Sequence, residues 1–86
     1  MDRDIFYIKS VLKQLEEKGV DSIYQMIKGR KLNTRAISCY DQLINDLITS
    51  YHFRNYNIGQ NKAMFAAEVK SLCWHYLSLL GEDLKN

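Results

Sequence analysis

A chain of 86 residues without one proline, whose apolar side chains recur every third or fourth position, has little to build with except helices. Proline is the residue that most sharply interrupts a helix. Here every break must come from glycine or from a cluster of turn formers. Three of the four glycines, Gly19, Gly29 and Gly81, fall just past the end of an apolar stripe. Glycine is common there because it accepts a positive φ.

The stripes define four helices. The first runs from about Asp4 to Lys18, with Ile5, Ile8, Leu12 and Leu15 on one face and Val11 beside them. Asp2 and Asp4 suit the positive end of its dipole and Lys18 the negative end. The second is short, about Ser22 to Lys28, with Asp21 as N-cap and Val20, Ile23, Tyr24 and Ile27 as its apolar face. The third runs from about Thr34 to Tyr51, capped by Asn33 or Thr34, along Ile37, Tyr40, Ile44, Leu47, Ile48 and Tyr51, with Leu43 broadening the stripe. His52 to Gly59 reads as the longest loop, with Phe53, Tyr56 and Ile58 packed down. The fourth runs from about Gln60 to Leu80, with Phe65, Val69, Leu72, Cys73, Tyr76 and Leu80 on one side.

The expected fold class is therefore all-α: a compact bundle or orthogonal array of four helices, the two C-terminal ones long. Residues 1–81 form a single helical domain and residues 82–86 a flexible tail. Nearly half of the residues are apolar and a quarter charged, which suits an ordinary globular domain. There is no run of about 18 uncharged apolar residues and no signal-peptide pattern, so no membrane partner and a cytoplasmic location are expected. Cys39 and Cys73 read as reduced thiols in the core, in keeping with the cytosol.

No cluster has the composition of an active site. Cys39, Cys73, His52 and His75 form no CxxC or HxxxH pair, so no metal is expected. Cys73 and His75, two residues apart, point to different helix faces and cannot act as nucleophile and base. Glu16 and Glu17 end a helix, and Glu82 and Asp83 belong to the tail. Gly29 marks a helix C-terminus, whose carbonyls are the wrong groups to cradle a phosphate. The expectation is a binding protein with no cofactor and no catalytic residue.

The strongest local signal is the basic turn. Lys28, Arg30, Lys31 and Arg35 place four positive charges within eight residues, with no acid among them. With Thr34 they form a candidate site for a nucleic-acid backbone or an acidic protein patch. Ser22 to Asp46 also has the outline of a helix-turn-helix, with Asn33, Thr34, Arg35 and Ser38 near the start of the recognition helix. Asp41 and Asp46 follow on that helix and oppose DNA. The aromatic group Phe53, Tyr56, Trp74 and Tyr76 could stack bases or close the core over the long loop, core closure being the more ordinary use. Met64, Trp74 and Leu77 fall outside the main stripe of the fourth helix. They mark either a central helix or a second apolar face, for a partner protein or for a homodimer.

The segment SIYQMIKGRKLNTRAISC, Ser22 to Cys39, resembles the N-terminal region of YpbB-like proteins of low-GC Gram-positive bacteria. The matching elements are Lys13, Gln14 and Leu15, then Ser22, Ile23 and Tyr24, then Lys28, Gly29, Arg30 and Lys31, then Thr34 and Ile37. The likeness extends over residues 5 to 66 and is most specific across 22 to 37. Leu32 stands where that family usually has a small polar residue, and Cys39 near a position usually acidic. The family's C-terminal helix-turn-helix region has no counterpart here. The resemblance implies a bacterial helical accessory module linked to a RecQ-like helicase, with no activity of its own. The expected function is a non-enzymatic interaction module working through protein contacts. Direct DNA binding through the basic turn and self-association are the alternatives.

Overall fold

The computed structural model describes residues 2–54 and 58–82, with side chains described for residues 3–52 and 62–82. Four helices follow in order: α1 Asp2–Lys18, α2 Val20–Ile27, α3 Cys39–Arg54 and α4 Ile58–Leu79. The all-helical bundle read from the periodicity is the fold. Among the described residues there is no strand.

The α1 stripe behaves as its spacing requires. Ile8, Val11 and Leu15 are buried, with Ile5 and Leu12 packed partly against them. At Gly19 the chain turns from α1 into α2 through a single residue. Its φ of 85° lies where glycine alone is comfortable, and its N–H donates to the Leu15 carbonyl at 2.9 Å. The backbone N–H and the hydroxyl of Ser22 both donate to the Gly19 carbonyl, at 3.2 and 2.7 Å. The second helix accordingly starts at Val20, ahead of the Ser22 start expected from sequence. Gly19 is its N-cap, and Asp21 sits in its first turn.

The largest departure is the start of α3. The apolar spacing carried the third helix back to Thr34, yet it begins at Cys39. Ser38 caps it, its Oγ accepting from the Asp41 N–H at 3.1 Å. A second cap comes from α1, where Asp4 Oδ2 accepts from the Cys39 N–H at 3.1 Å. Ile37, expected in the core stripe, is 86% exposed. At its other end α3 continues through His52 to Arg54, so the expected break at His52 falls inside the helix. The expected packing of Phe53, Tyr56 and Ile58 concerns side chains outside the described residues.

Helix α4 packs against all three others, as each of the other helices also does. Phe65, Val69, Cys73, Tyr76 and Leu77 are buried along it. The Phe65 ring stacks on Tyr24 of α2, with centroids 4.9 Å apart and planes 9° from parallel. Tyr51 of α3 meets the same Tyr24 edge-on at 4.8 Å. Contact with three helices accounts for the buried part of α4's broad apolar surface, while Met64, Trp74 and Leu79 stay exposed. One expectation is corrected: Leu77 is 1% exposed and belongs to the core, away from any partner face.

The last turn of α4 closes with two bonds around Gly81. The Gly81 N–H donates to the Ser78 carbonyl at 3.0 Å, and the Glu82 N–H to the Leu77 carbonyl at 2.9 Å. Glu82, assigned to the tail from sequence, also accepts from Lys9 Nζ of α1. Of the expected tail, residues 83–86 lie outside the described residues.

Candidate functional site

Between α2 and α3 the chain runs through residues 28–38 without helix. The first turn of this segment follows from Gly29. Lys28 has φ −59° and ψ 127°, Gly29 has φ 79°, and the Arg30 N–H donates to the Ile27 carbonyl at 3.0 Å. These are the angles and bond of a type II turn, which needs a positive φ at its third residue. A Cβ at Gly29 would meet nothing within 4 Å, so only the torsion demands glycine there.

Farther along, the segment is held against α3. The Asn33 N–H donates to Asn45 Oδ1 at 2.9 Å, and Asn45 Nδ2 donates back to the Asn33 carbonyl at 2.8 Å. Asn33 Oδ1 accepts from the Arg35 N–H at 3.0 Å, and the Ala36 N–H donates to the Asn33 carbonyl at 3.2 Å. Gln42 Nε2 donates to the Ile37 carbonyl at 3.1 Å. The loop backbone is thus fixed at both ends and in its middle.

From this fixed backbone the side chains of Lys28, Arg30, Lys31, Thr34 and Arg35 all project into solvent. None of the four cations has a carboxylate partner among the described residues. The structure places all five candidates on one loop. It does not supply a recognition helix, because Asn33, Thr34 and Arg35 precede α3 and Ser38 is its cap. The helix-turn-helix outline drawn from sequence is therefore corrected to two helices joined by an extended, pinned loop.

Periodicity gave no warning of two aliphatic side chains on the same segment. Leu32 is 53% exposed, and Ile37 stands in water. The available signal was the missing partner stripe: Leu32 has no apolar residue four positions before it. Beneath the loop lies a shallow cleft of about 370 Å³ lined by Leu32, Thr34, Ala36, Gln42, Asp46 and Tyr76, among others. Its carboxylate, Asp46, accepts a short hydrogen bond from the Tyr76 hydroxyl. Burial and that carboxylate push the Tyr76 phenol up to about 12.

A larger groove, about 700 Å³, opens on another side between α1, the start of α2 and α4. Leu12, Leu15, Val20, Ala63 and Ala66 give it an apolar floor, and Glu16, Lys62 and Lys70 a charged rim. Trp74, 49% exposed, forms one wall. Lys62 also pairs with Asp21 of α2 at 3.2 Å. Of the three residues expected on an apolar partner face, Trp74 lines this groove, Met64 is exposed but outside its lining, and Leu77 is core.

The residues weighed for chemistry stay apart. Cys73 is fully buried, and burial pushes its thiol up to about 12, which keeps it neutral. Cys39 is half-buried at the start of α3 and caps no metal cluster; no group of three or more His, Cys, Asp or Glu suited to a metal occurs among the described residues. Within the same set, no helix is long and apolar enough to cross a membrane. Of the aromatic quartet, Tyr76 is buried and Trp74 exposed, on different sides of α4. No family model, no curated protein and no solved structure matches the chain.

Proposed function

We propose that the chain is a non-enzymatic interaction module that serves nucleic-acid machinery by docking a protein partner. The observation that carries this reading is the α1–α4 groove. It is open, apolar at its floor and walled by a half-exposed tryptophan, with charges of both signs at its rim. Grooves of this kind suit an apolar anchor of another protein, and tryptophan is over-represented among residues that dominate binding energy. The resemblance across Ser22 to Ile37 names a RecQ-like helicase as the partner to try first. Calorimetric titration of such a helicase should give a saturable isotherm, weakened roughly tenfold or more by Trp74→Ala. No heat at tens of micromolar, on the order of a weak protein contact, removes the helicase as partner.

Direct DNA binding through Lys28, Arg30, Lys31, Thr34 and Arg35 is the second reading. What favours it is four exposed cations that no described carboxylate neutralises. It requires affinity that falls steeply with salt, and a slope that shrinks when Arg30 and Lys31 become Ala. Self-association has less to draw on than the sequence suggested, because Leu77 is buried and the exposed large apolar side chains among the described residues of α4 are Met64, Trp74 and Leu79.

A further inference from the structure

We infer that residues 28–37 form a docking surface for an acidic, aliphatic-bearing segment of a partner protein. This inference rests on the interaction-module reading above and names the chemistry of the partner. The first support is a field of one sign. Lys28, Arg30, Lys31 and Arg35 lie within eight residues and are all exposed. Three acids on the helices are engaged with other groups. Asp21 pairs with Lys62, Asp46 accepts from Tyr76 and Asp4 caps Cys39.

The second support is preorganisation. The type II turn at Lys28 and Gly29 and the Asn33–Asn45 exchange fix the backbone before anything binds. Less chain entropy is then lost on association. The third support separates the two kinds of anion. Leu32 and Ile37 stand exposed between and beside the cations, and no element among the described residues covers them. A phosphate backbone neutralises the cations and leaves both aliphatic side chains in water. A polypeptide with carboxylates and aliphatic side chains meets both needs. The cleft beside Leu32, floored by Ala36 and Tyr76, gives room for one such side chain.

The probes are two fluorescein-labelled peptides of about twelve residues, one alternating Glu and Leu and one alternating Glu and Ser, with a single-stranded and a duplex oligonucleotide of matched charge as comparators. Anisotropy titration should show the Glu–Leu peptide binding roughly fivefold or more tighter than the Glu–Ser peptide, and tighter than either oligonucleotide. The double variant R30A/K31A should weaken both peptides by about tenfold. Ile37→Ser should weaken the Glu–Leu peptide alone. These positions are exposed, and unchanged far-UV circular dichroism checks that each variant folds. Equal affinity for the two peptides, an oligonucleotide that binds tighter than the Glu–Leu peptide, or no binding of any probe at about millimolar concentration would overturn the inference. A helicase that binds R30A/K31A as tightly as the natural chain also overturns it, while leaving the module reading intact. Peptide binding without helicase binding supports the loop and removes only the helicase.

Discussion

Asn33 and Asn45 exchange two hydrogen bonds, backbone amide to side-chain oxygen and side-chain amide to backbone oxygen, at 2.9 and 2.8 Å. One side chain on α3 thereby satisfies both polar groups of a loop residue that has no helical partner. Replacing Asn45 by Ala removes both bonds at once. The pair is partly solvated, so water recovers much of what is lost, and the expected destabilisation is ~1 kcal/mol by urea titration. The sharper readout is local. Amide hydrogen exchange across 28–38 should accelerate while α1 and α4 stay protected. Unchanged exchange in that loop would show that the exchange of bonds does not hold it.

At Gly29 the demand is torsional. With φ 79° and nothing within 4 Å of an added Cβ, Gly29→Ala should cost roughly 1 kcal/mol through the left-handed conformation alone. A D-alanine at the same position, introduced by chemical synthesis, adopts that φ without strain and should restore or exceed the stability of the glycine chain. If both alanines destabilise equally, crowding and not torsion sets the cost.

The helices were legible where burial follows local spacing. Ile8, Val11 and Leu15 on α1, and Leu43, Ile44, Leu47 and Ile48 on α3, are buried in the pattern that their spacing implies. The start of α3 was misread because Ile37 lies three positions before Tyr40 and seven before Ile44, so the stripe extends backward without a visible break. The stop signal was present as Ser38 followed three residues later by Asp41, a capping pattern that Thr34 lacks. The second cap, Asp4 on Cys39, joins residues 35 apart and has no local trace. The four cations of the loop, Lys28, Arg30, Lys31 and Arg35, were legible as a charge cluster. The groove was not, because it is made by α1 and α4 meeting, and neither helix shows it alone.

Leu77 and Trp74 sit one turn apart on α4 and face opposite environments. Leu77→Ala should cost about 2–5 kcal/mol, the range for emptying a packed core site, and a domain of this size would lose much of its stability. Trp74→Ala should cost no more than about 1.5 kcal/mol, since half of the indole already lies in solvent. Chemical denaturation of the two variants decides the assignment. A Trp74 loss as large as that of Leu77 would place the indole in the core and close the groove as a binding surface.

Ser50 is buried on α3, and its hydroxyl has no hydrogen-bond partner among the described residues. An unsatisfied buried hydroxyl is unfavourable, and serine is also a poorer helix former than alanine. Ser50→Ala should therefore stabilise the domain by roughly 0.5–1 kcal/mol. A loss of stability on the same substitution would mean that the hydroxyl is satisfied, for instance by a bound water.

The two buried acids on α4 make a prediction at high pH. Burial raises the Cys73 thiol from 9.0 to about 12, and burial with the Asp46 carboxylate raises the Tyr76 phenol from 10.0 to about 12. In both, folding favours the protonated form. Below about pH 9 both states of the protein hold these protons, and stability does not depend on them. As pH rises from about 9 toward 12, the unfolded chain releases protons that the folded chain retains, so stability falls. Each group contributes up to ~1.4 kcal/mol per pH unit within its own window. Urea midpoints should accordingly be flat from pH 7 to 9 and then decline. Tyr76→Phe should flatten the part of the decline that begins near pH 10, whatever it does to the level at pH 7, because phenylalanine has no proton to hold. Cys73→Ala should flatten the part that begins near pH 9. The Cys73 thiol should also resist a disulfide reagent at pH 8 in the folded protein, while half-buried Cys39 reacts first. A decline as steep in the double variant as in the natural chain would assign the alkaline lability to other groups.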